Sequence, residues 1–169
     1  MYRLAKLLDD DMIAELLSYY DDETSIVKEG AVDMDGVDTK TDYRIVDLVS
    51  VSPSFFNEVS EAIEDFVNDD TEVNQIEILS YKVGGQYRKH RDTFKGREEY
   101  RVWTTVTMLD KSDDLQGGTL TIEDCEPLDL EIGQTVVFDA DYLHQADTIE
   151  VGYRKVLVCW LGYKHYKYA

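Results

Sequence analysis

Only three histidines occur in the 169 residues, and two of them stand where they could hold a metal. His90-Arg91-Asp92 places an imidazole and a carboxylate two residues apart. In an extended segment both side chains project from one face, so a single strand edge can supply two adjacent ligands. His144 follows the apolar run Gln134 to Phe138 and can close a third corner. Two imidazoles and one carboxylate on one side of an ion leave its other side open. That is the facial arrangement suited to iron(II) oxygen chemistry, in which a co-substrate and dioxygen need the open positions. Taken singly, a His-x-Asp triplet or a lone histidine is more often a surface or structural feature.

The next element is Arg154, ten residues after His144, at the head of the β-rich run Lys155-Val-Leu-Val-Cys-Trp160. A strand-borne arginine facing the same cavity can hold a distal carboxylate through two parallel hydrogen bonds. A dicarboxylic 2-oxo acid would need that anchor at one end while its 2-oxo acid end chelates the metal. No Ser-His-Asp or Cys-His arrangement competes for the catalytic role. His165 has no matching partner and receives no role. Tyr163, Tyr166 and Tyr168 read as packing or surface residues.

The elements that must position these residues fall into two halves. Asp9 or Asp10 can cap a helix with Met12, Ile13, Leu16, Leu17 and Tyr20 on one face. Ser52-Pro53 predicts an N-cap and first turn, followed by a helix carrying Phe55, Val59, Ile63 and Phe66 inward. A strand is expected near Tyr43 to Val51, and Val32 to Thr41, rich in Asp and Gly, is expected to be a mobile loop. From residue 74 short β-rich runs follow one another: 75–83, 101–109, 119–123, 134–138 and 155–161. Gly84-Gly85, Asp113-Asp114, Gly117-Gly118 and Gly133 mark the joints. Helices first and strands afterwards predict a mainly β jelly roll buttressed by N-terminal helices. Residues 1–169 read as one domain, with 1–73 as a helical support region and 74–163 as the catalytic core.

Composition narrows the partners. The net charge of −19 repels nucleic acid unless a local basic patch overrides it. Arg88, Lys89, Arg91, Lys95 and Arg97 form one such cluster around the His-x-Asp triplet. It could attract an anionic co-substrate or an acidic peptide, or be a solvated face. No apolar run is long enough to span a membrane, and acidic residues interrupt the N-terminus before a signal-peptide core, so a cytoplasmic protein is expected. Cys125 and Cys159 are too few for a disulfide framework.

The stretch Tyr81-Lys-Val-Gly-Gly-Gln-Tyr-Arg-Lys-His90-Arg-Asp92 resembles the Tyr, Gly, Tyr, His-x-Asp strand of the iron(II)/2-oxoglutarate dioxygenases, in particular the prolyl 4-hydroxylase-like group. Arg101 to Asp110 is similar to the group's next long strand, and Gly117-Gly118-Thr119-Leu120 to the turn after it. Gly133 to Phe138, His144, Gly152-Tyr-Arg154 and Trp160 match the closing block in order and spacing. The resemblance spans about residues 75 to 163. It implies a double-stranded β-helix with iron(II) on His90, Asp92 and His144 and the far carboxylate of 2-oxoglutarate on Arg154. It further implies that Tyr81, Thr104 and Trp160 line the co-substrate pocket. Met108 stands where several relatives have a tyrosine that helps hold that carboxylate. The implied co-substrates are 2-oxoglutarate and O2, with ascorbate as an accessory reductant that the group admits. The implied reaction is hydroxylation of a C–H bond, with a prolyl residue of a peptide or protein favoured as substrate and a small amino-acid-like molecule as the other candidate. Residues 93–100 and 32–41 are candidate lids. Two other readings remain. One is a cupin-like metal-binding protein or isomerase without oxygenase activity, and the other is a structural β-sandwich. The first gives no role to Arg154, and the second makes the triad accidental.

Overall fold

The computed structural model describes residues 1–22, 27–30, 32–34, 37–39 and 42–165. Its strands, in chain order, are β1 (Arg3–Lys6), β2 (Lys28–Glu29), β3 (Val32–Met34), β4 (Val37–Thr39), β5 (Arg44–Ile45), β6 (Asp47–Val51), β7 (Thr71–Tyr81), β8 (Gln86–His90) and β9 (Trp103–Lys111). After these come β10 (Gln116–Gly117), β11 (Leu120–Ile122), β12 (Gln134–Asp139), β13 (His144–Ala146), β14 (Ile149–Val151) and β15 (Arg154–Tyr163). The larger sheet has the order β1-β12-β9-β15-β7-β6-β2, and the smaller β11-β13-β8-β5. Neighbours that are distant in sequence lie side by side, as the expected jelly roll requires.

The central strands show why two layers form. On β15, Val156, Val158 and Trp160 join the core between the sheets, while Leu157, Cys159 and Leu161 face a second core on the other side. This period of two splits one apolar run between two compartments. Helices α1 (Asp10–Asp21) and α2 (Asn57–Val67) cover the second core. In α1 the Met12 backbone N–H donates to Asp9 Oδ1 at 2.8 Å, so Asp9 is the cap, and Ile13 and Leu16 are buried.

The second helix departs from expectation at its start. Ser52-Pro53 opens a separate 3-10 turn, Pro53–Phe55, and the chain breaks at Phe56 before α2 begins. The Ser52 side chain meets the Ser54 hydroxyl at 2.9 Å and caps nothing. The break rotates the apolar face. Phe55 is 70% exposed, Phe56 packs on the core, and α2 buries Val59, Ile63 and Val67. The stretch expected as a mobile loop contains a paired hairpin, β3 with β4, in the register Val32↔Thr39 and Met34↔Val37. Residues 35–36 and 40–41 lie outside the described residues. Nor is 1–73 only a helical support, because β1, β2 and β6 extend the larger sheet and β5 edges the smaller one. No helix among the described residues is long and apolar enough to cross a membrane.

Candidate metal centre

The smaller sheet brings the two histidines together. His144 on β13 pairs directly with His90 on β8, and a bulge then sets Ala146 opposite Tyr87. The bulge leaves Tyr87 and His90 on the same side, with stacked rings 3.4 Å apart. Asp92 lies just past β8, where its backbone N–H donates to the Ala140 carbonyl at 2.9 Å. His90 Nε2 stands 3.3 Å from Asp92 Oδ1, and His144 Nε2 stands 3.3 Å from Asp92 Oδ2. One donor atom from each of the three lies within 4.8 Å of the others.

The outer contacts set the tautomers. His90 Nδ1 is 2.7 Å from the Arg88 carbonyl and His144 Nδ1 is 2.9 Å from the Tyr142 carbonyl. A carbonyl only accepts, so each Nδ1 carries the proton and each Nε2 lone pair faces inward. Two lone pairs and a carboxylate thus converge in a buried space, and such a set requires a cation. Without a metal the cation is a proton. Burial opposes a charge on His144, but the Asp92 carboxylate outweighs it and raises the His144 pKa. Burial lowers the His90 pKa. Burial also works against ionised Asp92, yet the His144 charge and hydrogen bonds from both histidines hold its carboxyl well below the usual range.

Thr104 and Trp160 line the same cavity as the triad, but their polar atoms point at Asp92. The Thr104 hydroxyl donates to Oδ2 at 2.7 Å, and the Trp160 indole N–H donates to the same oxygen at 3.0 Å. Arg101 Nη1 donates to the Asp92 carbonyl at 3.3 Å, and its guanidinium stacks 4.1 Å from the Trp160 ring centroid. The carboxylate is therefore oriented from outside the metal position.

The cavity continues to Arg154, which is 3% exposed on the interior face of β15. Its guanidinium lies over the Tyr81 ring, 4.6 Å from the centroid. Among the described residues no carboxylate reaches it at ion-pair distance, and its buried Nε has no hydrogen-bond partner. Burial lowers its pKa, but an arginine remains cationic. A buried cation without a counter-ion is costly unless an anionic ligand completes it. Gly118 makes the room, since a Cβ there would sit 3.3 Å from both Arg154 Cδ and Nε and 3.0 Å from an Ile149 methylene. With φ at +70°, that turn also favours glycine. Met108 sits in the core between the sheets and offers no donor.

The donor set fits a divalent first-row metal, and Arg154 fits the far carboxylate of a dicarboxylate. One structural group escaped the sequence reading. Arg44 lines the cavity, pairs with Glu77 Oε2 at 3.2 Å, and lies over the Tyr87 ring. Its signal was present as Glu77, a lone acid inside the apolar run Ile76 to Leu79.

Comparison with known proteins agrees with this geometry. The family model of the 2OG-Fe(II) oxygenase superfamily matches residues 76–162. A PKHD-type hydroxylase of Rippkaea orientalis is 33% identical over 95 residues, covering 53% of this chain and 43% of that protein. The match thus spans less than half of the relative's length. A prolyl hydroxylase from Trichoplax adhaerens, solved with a hypoxia inducible factor peptide fragment, superposes with a TM-score of 0.74 at 13% identity. That superposition covers 96% of this chain and 84% of the other. A Pseudomonas putida prolyl-4-hydroxylase gives 0.66 at 20% identity, covering 95% and 92%. These structural likenesses establish the shared fold. The matched segment runs from β7 through β15 and contains the whole triad and Arg154, and on that match the chain belongs to the 2OG-Fe(II) oxygenase superfamily.

Proposed function

We propose that this chain is an iron(II)- and 2-oxoglutarate-dependent hydroxylase acting on a prolyl residue of a peptide or protein. One observation carries the reading. A three-donor cluster and a buried arginine with no carboxylate at ion-pair distance among the described residues share a single cavity. A cupin-like metal protein without oxygenase activity leaves that arginine without a purpose. When bound, iron(II) with 2-oxoglutarate and O2 supplies oxidation of an unreactive C–H bond, with the co-substrate decarboxylated to succinate.

The chain's own residues bind and orient. His90, Asp92 and His144 would hold the metal through lone pairs aimed by backbone carbonyls. Thr104 and Trp160 restrain Asp92 Oδ2, which makes them positioning residues for the carboxylate. Arg154 would take the far carboxylate of 2-oxoglutarate in bidentate fashion over Tyr81. With Met108 apolar, Arg154 supplies that recognition without a tyrosine. Val106, Val156 and Val158 line the cavity and keep its walls dry. The larger sheet is shared by both cores, which supports reading residues 1–169 as one oxygenase domain.

The test begins with anaerobic titration by iron(II) and 2-oxoglutarate. A weak visible charge-transfer band should appear, and be absent in His90→Ala. Addition of air and prolyl peptides should then yield succinate and a peptide heavier by one oxygen. Absence of both band and succinate would sink the oxygenase assignment, while succinate without any modified prolyl peptide would sink the substrate.

A further inference from the structure

Charge is unevenly distributed along this acidic chain. Residues 82–101 hold seven of its 17 Lys and Arg but only three of its 36 Asp and Glu. That segment contains β8, the first two metal-ligand candidates and the 93–100 loop, so a basic stretch of the chain borders residues that line the cavity.

Its exposed cations are poorly neutralised. Arg88 meets Asp42 at 3.3 Å and Arg91 meets Asp141 at 3.7 Å, all four side chains being largely exposed. Such pairs contribute little and exchange readily. Lys89 and Lys95 are exposed and have no ion-pair partner among the described residues. In a chain with twice as many acids as bases, folding could supply each cation with a carboxylate. Here it leaves them facing solvent beside the site. The β8 bulge contributes, because with Tyr87 and His90 both turned inward, Arg88 and Lys89 are both exposed.

We infer that this rim docks an acidic stretch of the protein substrate, flanking the residue presented to the metal. The proposal rests on the hydroxylase reading for its substrate class. A short acidic peptide fits better than nucleic acid, because a polyanion extending beyond the strip would meet the strongly negative remainder of the molecule. Complementary rim charge accelerates encounter and fixes register more than it adds affinity.

The test measures binding of fluorescent peptides to the full chain loaded with Mn(II) and 2-oxoglutarate under nitrogen. Each peptide carries acidic, neutral or basic flanks, with and without a central proline. Acidic flanks should bind about tenfold tighter than neutral ones at low salt, and the advantage should fall as salt rises. The double variant Lys89→Glu/Lys95→Glu should remove the preference, and Lys89→Gln/Lys95→Gln should halve it on a logarithmic scale. The 2-oxoglutarate affinity should not move. Equal binding of all flanks overturns the proposal. A change in 2-oxoglutarate affinity alone also overturns it, in favour of steering of the co-substrate. Tighter binding of a single-stranded oligonucleotide than of any acidic peptide overturns it in favour of nucleic acid. Acid-dependent binding that persists without hydroxylation of any proline supports the docking rim and counts only against the prolyl substrate.

Discussion

The two cores of this molecule are built from the same strands to different standards. The core under the helices holds Leu16, Ile63, Ile78, Leu157 and Leu161, all apolar and essentially sealed. The core between the sheets begins the same way with Val106, Val136 and Phe138, then admits Asp92, His144 and Arg154 into its depth. One side of β15 stabilises the fold. The other accepts buried charge and an orphaned guanidinium nitrogen, costs that only a ligand repays.

That contrast is broken most sharply at Asp92. Asp92→Ala should lower turnover by at least about a thousandfold and abolish the iron-dependent rise in melting temperature, because two imidazoles alone make a poor site. Calorimetry with and without metal checks this, and residual metal stabilisation equal to wild type would refute the ligand role. On the helix side, Ile63→Ala should cost about 2–5 kcal/mol of stability through cavity formation. Its folded fraction should keep normal affinity for iron and 2-oxoglutarate, as denaturant melts and titration would show.

Arg154→Met separates the two cores by sign. Replacing an uncompensated buried cation with a shape-tolerant apolar chain should leave the ligand-free protein equally stable or more so, by up to about 2 kcal/mol. The same change should weaken 2-oxoglutarate binding at least about tenfold while sparing metal binding. A destabilised variant with normal 2-oxoglutarate affinity would reverse the assignment.

The smallest effect is in pH. The raised His144 pKa means its contribution to the metal-free fold is complete below the unfolded value of about 6.5 and is lost as pH rises through the folded value. Metal binding must expel that proton, so the gain in melting temperature on adding iron(II) should widen as pH rises from 6 to 8. Asp92 acts oppositely and far lower. Its depressed pKa stabilises the fold above the unfolded carboxylate value, and this is lost only as pH falls through the folded one. A metal-induced shift that is flat or shrinks over 6 to 8 would rule out the proton on His144.

Much of the fold and of the site is legible in the sequence. The β-rich run of β15, a helix cap at Asp9 or Asp10 and the spacing of His90, Asp92, His144 and Arg154 are local patterns, and local patterns survive in a sequence. What escaped depended on partners distant in the chain. The start of α2 was misplaced because a Ser-Pro signal serves a 3-10 turn as well as an α-helix. Residues 3–6 form β1 only because β12 lies beside them. Thr104 and Trp160 line the cavity, as the resemblance implies, but the aim of their donors at Asp92 is set by folding.

The same division holds at the site. Residue type and order alone determined which side chains could bind a metal and a dicarboxylate, since imidazole, carboxylate and guanidinium chemistry does not depend on context. Tertiary structure alone decided that the Nε2 lone pairs converge, that Asp92 is held through one oxygen by two distant strands, and that Arg154 is buried with no counter-ion among the described residues. Those are consequences of packing two sheets face to face, where burial turns ordinary polar groups into groups that must find a partner.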